Sequence, residues 1–202
     1  HKDGIMARTL RNARIITMDV ATKTITNHMQ TGFDVSAGAV RWSPNGKELW
    51  FTASDRVYQS LYGYDIAAKK YTKRTDKQLV GGLSHNADAS KFALALNSAE
   101  LPTEVFVTDA SFASPTRITT TNTWLADRSI GASQVITWKS FDGKEAEGVL
   151  LLPVGYKQGD KVPLIVSAHG GPTAAHTASF KLGTDPGQTW AARGCCLLYT
   201  SR

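Results

Sequence analysis

One stretch of this sequence recurs in related form, 46 residues on, and that spacing limits the possible folds more than any other feature. Asp19-Val20-Ala21-Thr22-Lys23-Thr24-Ile25-Thr26 and Asp65-Ile66-Ala67-Ala68-Lys69-Lys70-Tyr71-Thr72 share Asp, Ala, Lys and Thr at matching places. Their Val/Ile and Ile/Tyr pairs suit strands. Leu61-Tyr62-Gly63-Tyr64-Asp65 returns in weaker form as Val105-Phe106-Val107-Thr108-Asp109, 44 residues on. The segment ahead also recurs. Trp42-Ser43-Pro44-Asn45-Gly46-Lys47-Glu48-Leu49-Trp50-Phe51 reads as strand end, tight turn and strand, because Pro fixes φ while Asn and Gly tolerate positive φ. His85-Asn86-Ala87-Asp88-Ala89-Ser90-Lys91-Phe92-Ala93-Leu94 has the same layout 43 residues later.

A period of about 40–45 residues is that of a four-stranded propeller blade. One such unit cannot bury its faces alone and has to stack on neighbours. Residues 1–121 hold about three incomplete copies, fewer than the roughly four to eight blades that close a ring. The expectation is therefore a partial β-propeller over 1–121, with more chain ahead of His1. Trp42, Trp50, Phe51, Tyr62 and Tyr64 sit at repeat-equivalent strand positions, so core packing is expected of them rather than a binding platform. His28 and His85 stand alone and read as surface or turn residues.

The pattern changes from Asn122. Thr119-Thr120-Thr121-Asn122 is a polar connector. Ser133–Ser140 reads as a strand, Phe141-Asp142-Gly143-Lys144 as a hairpin whose Asp-Gly suits a two-residue turn, and Ala146–Leu152 as the returning strand, stopped by Pro153. Beyond a Gly- and charge-rich linker at 155–161, the apolar run Val162-Pro163-Leu164-Ile165-Val166-Ser167-Ala168 reads as a buried central strand. It leads straight into His169-Gly170-Gly171-Pro172. Two glycines after a strand let the backbone turn sharply and come close to a ligand. Their N–H groups can then face a developing negative charge, which is what an oxyanion hole requires. In α/β-hydrolases one such donor comes from the loop after the third strand, in a His-Gly-Gly-type motif. Gln188-Thr189-Trp190-Ala191-Ala192-Arg193-Gly194 reads as a helix stopped by Gly194, and Cys195–Tyr199 as the next strand. The expected fold is mixed: the C-terminal blades of a β-propeller, followed over 122–202 by the N-terminal strands of a truncated α/β-hydrolase domain.

Composition removes several functions. The net charge is +6, but the basic residues are scattered apart from Lys69, Lys70, Lys73 and Arg74, and no basic stripe with interleaved aromatics marks a nucleic-acid partner. No run reaches the ~20 apolar residues of a membrane helix. The two cysteines, Cys195 and Cys196, are adjacent, too close for an ordinary disulfide and without metal-ligand spacing. That usage favours a reducing compartment such as the cytoplasm. No cofactor or metal is implied.

The motifs together resemble the prolyl oligopeptidase family of serine peptidases. The likeness is carried by Trp42-Ser43-Pro44-Asn45-Gly46, Ser140-Phe141-Asp142-Gly143, Leu152-Pro153, His169-Gly170-Gly171-Pro172 and Trp190-Ala191-Ala192-Arg193-Gly194, in that order, and is strongest from Ser140 to Gly194. The His-Gly-Gly-Pro form is similar to the acylaminoacyl-peptidase and dipeptidyl-peptidase-like branches. Prolyl oligopeptidase itself has a Tyr in place of His169, whose hydroxyl serves the oxyanion hole. The resemblance thus implies that the backbone N–H of Gly171, with Gly170 beside it, is the oxyanion donor here. It also implies a short peptide or acyl-peptide as substrate, with the propeller limiting access.

The sequence contains no Gly-x-Ser-x-Gly. The family's Ser, Asp and His are expected beyond Arg202, so this stretch alone is expected to be inactive. His169 is not the triad base, which follows the serine in chain order, and His176 reads as a loop residue. Family members tend to carry an aromatic residue where Cys195 stands, and Cys196–Arg202 is held open as foreign to the parent protein. Two other readings stay open: an esterase on the same hydrolase fold, against which the repeat argues, and a non-catalytic propeller used for binding, against which the junction and His-Gly-Gly-Pro segments argue.

Overall fold

A computed structural model describes residues 12–28, 33, 35–171, 174–182 and 185–201. His1, Pro172 and Arg202, named above, lie outside them. The chain forms two compact units, one of His1–Ser54 and Ser60–Asp76, the other of Asp55–Gln59 and Lys77–Arg202. The described residues are mostly strand, with one short helix and one 3-10 turn. No closed sheet is seen among them.

In the first unit, strands β1 (Ile16–Met18) and β2 (Ile25–Asn27) make a hairpin, and β3 (Ala37–Trp42), β4 (Glu48–Asp55), β5 (Tyr58–Asp65) and β6 (Lys70–Lys73) follow as an antiparallel meander. The repeated octapeptide builds the same turn twice. Asp19 Oδ1 accepts the Thr22 N–H at 2.7 Å, and Lys23 takes φ +60°. Asp65 Oδ1 accepts the Ala68 N–H at 2.7 Å, and Lys69 takes φ +53°. In both, the carboxylate replaces a backbone acceptor and fixes the reversal. Leu49, Phe51, Ala53 and Tyr64 form the core with Ile15. Phe33 stacks on Tyr71 at 4.8 Å between ring centroids and meets Phe51 edge-on at 5.3 Å.

The expected packing role thus holds for Trp50, Phe51, Tyr62 and Tyr64, but Trp42 is 53% exposed. It closes β3, which among the described residues pairs in the sheet only with β4. His28 also departs from expectation. It is buried, its Nε2 lies 2.7 Å from Thr17 Oγ1, and its ring tilts against Tyr64 at 5.5 Å.

The second unit carries another antiparallel meander, β7 (Leu79–His85), β8 (Phe92–Asn97), β9 (Glu104–Thr108) and β10 (Thr116–Arg117). Its β7–β8 turn copies the β3–β4 turn. Asn45 Oδ1 accepts the Lys47 N–H and Gly46 takes φ +69°; Asp88 Oδ1 accepts the Ser90 N–H and Ala89 takes φ +55°. The connector after β10 is gathered by the buried Glu104. Its carboxylate accepts from the Thr119 and Thr121 hydroxyls, from the N–H groups of Thr121 and Asn122, and from Asn122 Nδ2.

Next comes a four-stranded sheet: β11 (Ser133–Lys139), β12 (Glu145–Leu151), β13 (Leu164–Ala168) and β14 (Cys196–Ser201), in the order β11-β12-β14-β13. β12 is antiparallel to β11 and β14, whereas β13 and β14 run parallel and are joined by a crossover through helix α1 (Gly187–Ala192). The β11–β12 turn is not the two-residue form expected. Ser140 O accepts from Gly143 N, Ser140 N donates to Lys144 O, and only Gly143 has positive φ, +77°. This is a type I turn with a glycine bulge, with the Asp142 carboxylate accepting the Lys144 N–H as Asn45 and Asp88 do at their turns.

Helix α1 stops as its sequence dictates. Gly194, at φ +84°, donates to Ala191 O and Cys195 donates to Trp190 O, the Schellman pattern that spares the last carbonyls. The Gln188 side chain holds α1 by bonding both the N–H and the C=O of Gly131, at 2.8 and 3.3 Å. The core beneath joins Val149, Leu151, Ala178, Ala191, Leu197 and Tyr199 with Val57 from the β4–β5 turn. Burying a side chain such as Val149 or Leu151 contributes about 1.5–3 kcal/mol. Cys196–Ser201, held open as foreign in the sequence, pairs with β12 on one side and β13 on the other.

Candidate active site at the His-Gly-Gly turn

The apolar run before His169 does form a strand, but at the edge of the sheet and not at its centre. Among the described residues β13 pairs only with β14, leaving Leu164 56% and Val166 59% exposed. The alternation explains this. Ile165, Ser167 and His169 fall on the half-buried face, while Leu164, Val166 and Ala168 face outward. A strand reads as continuously apolar when both faces are to be covered, and among the described residues one face is bare.

The turn itself lies at the carboxyl end of β13, beside the parallel strand β14. In open sheets with parallel strands, ligands bind outside the carboxyl ends of those strands. Gly171 takes φ +107°, a conformation open to glycine and costly for any other residue. Gly170 and Gly171 are both exposed. A side chain built on Gly170 would meet nothing within 4 Å, so its backbone is open to approach. Among the described residues, the N–H groups of Gly170 and Gly171 make no hydrogen bond. His169 stands half-buried beside them, with Nδ1 3.2 Å from the carbonyl oxygen of Gly170, and borders a cleft of about 250 Å3 with Trp138, Phe141 and Glu145.

Two groups near the turn were not legible as partners in the sequence. Ser167 Oγ lies 3.3 Å from His176 Nε2, and the rings of His169 and His176 meet edge-on at 6.3 Å. Burial lowers the His176 pKa below its ordinary 6.5; the nearby Lys181 and His169 push the same way and Asp185 opposes them. The ring is therefore neutral at pH 7, and with its proton on Nδ1 the Nε2 atom can accept a hydrogen bond from the Ser167 hydroxyl. The one polar residue late in β13, on the same face as His169, was the available signal for Ser167. The return of His176 depends on the path of the loop, which no local pattern encodes. Among the described residues, no group of three His, Cys, Asp or Glu is gathered as metal ligands would be, and no helix is long and apolar enough to cross a membrane.

No family model matches the sequence. Among curated proteins, the chain is 21% identical over 160 residues to the uncharacterized peptidase YuxL of Bacillus subtilis, a match covering 78% of this chain and 24% of that protein. Among solved structures, an acylaminoacyl peptidase in complex with Z-Gly-Gly-Phe-chloromethyl ketone matches with a TM-score of 0.72 and 19% identity, over 94% of this chain and 28% of that one. Dipeptidyl peptidase 4 of Porphyromonas gingivalis matches with a TM-score of 0.65 and 15% identity, over 93% of this chain and 27% of the other. The chain thus spans about a quarter of the length of these relatives. Over the stretch it spans, it has the fold of acylaminoacyl peptidase and dipeptidyl peptidase 4, in agreement with the resemblance to the prolyl oligopeptidase family that its motifs carry.

Proposed function

We propose that this chain is part of a serine peptidase that hydrolyses short peptides or acyl-peptides, and that it supplies the oxyanion donors while the nucleophile lies elsewhere in the longer protein. In this reading residues 1–121 are the last blades of a propeller that limits access, and residues 122–202 begin an α/β-hydrolase domain. A serine from beyond residue 202 attacks the substrate carbonyl, a histidine takes its proton and returns it to the leaving amine, and an aspartate orients that histidine. As the carbonyl oxygen gains charge, the N–H of Gly171, with Gly170 beside it, donates to it. A donor aimed at that oxygen stabilises the transition state more than the ground state and so raises turnover.

One observation carries the reading: a glycine at φ +107°, whose N–H bonds nothing among the described residues, in the turn after the third strand of a sheet and at its carboxyl edge. That is the place from which α/β-hydrolases draw a donor. The peptidase names of the relatives favour an amide over an ester substrate. The test compares acyl-peptide anilides with simple aryl esters on the full-length protein. The proposal expects turnover of the anilides. Hydrolysis of the esters with none of the anilides would transfer the chain to the esterase reading.

A further inference from the structure

We propose that His176 is a positioning residue for the Gly170–Gly171 donors, acting through its hydrogen bond to Ser167. The inference rests on the oxyanion role proposed above.

A pair of consecutive glycines has wide conformational freedom, yet an oxyanion donor works only when held within about 0.5 Å of its productive place. The turn therefore needs a brace. Ser167 stands on β13 just before the motif, and His176 stands in the loop beyond it. Their 3.3 Å contact closes the loop that contains both glycines. Among the described residues, no other side-chain to side-chain hydrogen bond runs from β13 to the far side of the turn. The half-buried His176 ring also meets His169 edge-on, so one imidazole touches the strand before the glycines and the motif itself. A neutral ring suits the task, because in the tautomer protonated at Nδ1 the Nε2 atom accepts a hydrogen bond from the Ser167 hydroxyl.

The experiment uses the full-length protein and an acyl-peptide anilide. His176→Ala and Ser167→Ala should each lower kcat by about 10–100-fold, the size of effect expected when a reacting geometry shifts by about 1 Å, with KM within about twofold. His176→Gln, whose amide oxygen can stand where Nε2 stood, should restore kcat to within about threefold. The Ala–Ala double variant should be no worse than the poorer single one, because both remove the same bond. Thermal melting checks that each variant is folded, and the Gln rescue separates a lost brace from a damaged fold. Gly171→Val is run alongside. If it abolishes turnover while His176→Ala retains wild-type kcat, the brace is wrong and the oxyanion reading stands. If Gly171→Val itself leaves kcat intact, the oxyanion reading fails first. A rise in KM at constant kcat in His176→Ala, or failure of the Gln variant to rescue, would likewise overturn the brace.

Discussion

Replacing Gly171 by valine in the full-length protein should remove most of its turnover and little of its substrate binding. Gly171 sits at φ +107°. A β-branched residue held there is strained by about 1–3 kcal/mol, more than a solvent-exposed turn has contacts to resist. The peptide unit rotates instead, and the N–H swings away from the substrate oxygen. Losing one oxyanion donor costs about 2.7–4 kcal/mol of transition-state stabilisation, or about a hundredfold to a thousandfold in kcat. The ground-state carbonyl draws little on that donor, so KM should move by less than about threefold. Gly171→Pro, which deletes the N–H outright, should do the same. The control is Gly159→Val. Gly159 has a similar φ of +97° with nothing within 4 Å of a built side chain, so it carries the same local strain without a donor role. Steady-state kinetics on an acyl-peptide anilide reads all three. Wild-type kcat in Gly171→Val, or an equal loss in Gly159→Val, would refute the reasoning.

Three further outcomes follow from the packing. A methyl group on Gly131 would lie 2.2 Å from the carbonyl oxygen of Leu152 and 2.9 Å from the Ala191 side chain. Gly131→Ala should therefore destabilise the protein by about 1–3 kcal/mol through overpacking, plus about 1 kcal/mol for each Gln188 bond it breaks, read as a lower denaturation midpoint. His28 is neutral in the fold because burial lowers its pKa below 6.5. Its contribution to stability is complete above that value and fades as pH falls below it, so wild type should lose more melting temperature than His28→Gln between pH 7 and pH 5. Glu104 is held down at about 2, chiefly by the Thr119 hydroxyl, with Asn122 and Thr121 adding to it. Its contribution is present above the ordinary 4.5 and lost as pH falls from there through about 2. Acid melts of Glu104→Gln should accordingly show a shallower slope than wild type in that window.

The turns were the most legible part of the sequence, because each is fixed by residues next to one another. Asn45 and Gly46 reverse the chain between β3 and β4, and Gly194 stops α1 by its own backbone. The place of the Asp142-Gly143 turn is legible in the sequence and its form is not. The dipeptide is compatible with two hairpin geometries, and the Asp142 bond to Lys144 N–H chose between them. Which surface covers which is not encoded by neighbouring residues. Trp42, Leu164 and Val166 look like core residues by composition, yet each lies on a strand that, among the described residues, pairs on one side only. His28 looked solitary because its partners Thr17, Tyr64 and Tyr71 reach it from other strands. At the candidate site, the glycines were legible because strand-then-glycine is a local pattern, whereas the Ser167–His176 bond spans a loop.

The central claim is that this chain is one part of a serine peptidase whose nucleophile lies beyond residue 202. Labelling the full-length protein with a fluorophosphonate and mapping the modified peptide tests it most directly. The account predicts one labelled serine, inside a Gly-x-Ser-x-Gly segment C-terminal to residue 202, with loss of anilide hydrolysis in step with labelling. A label on a serine within this chain, or full peptidase activity in protein that takes up no label, would contradict it.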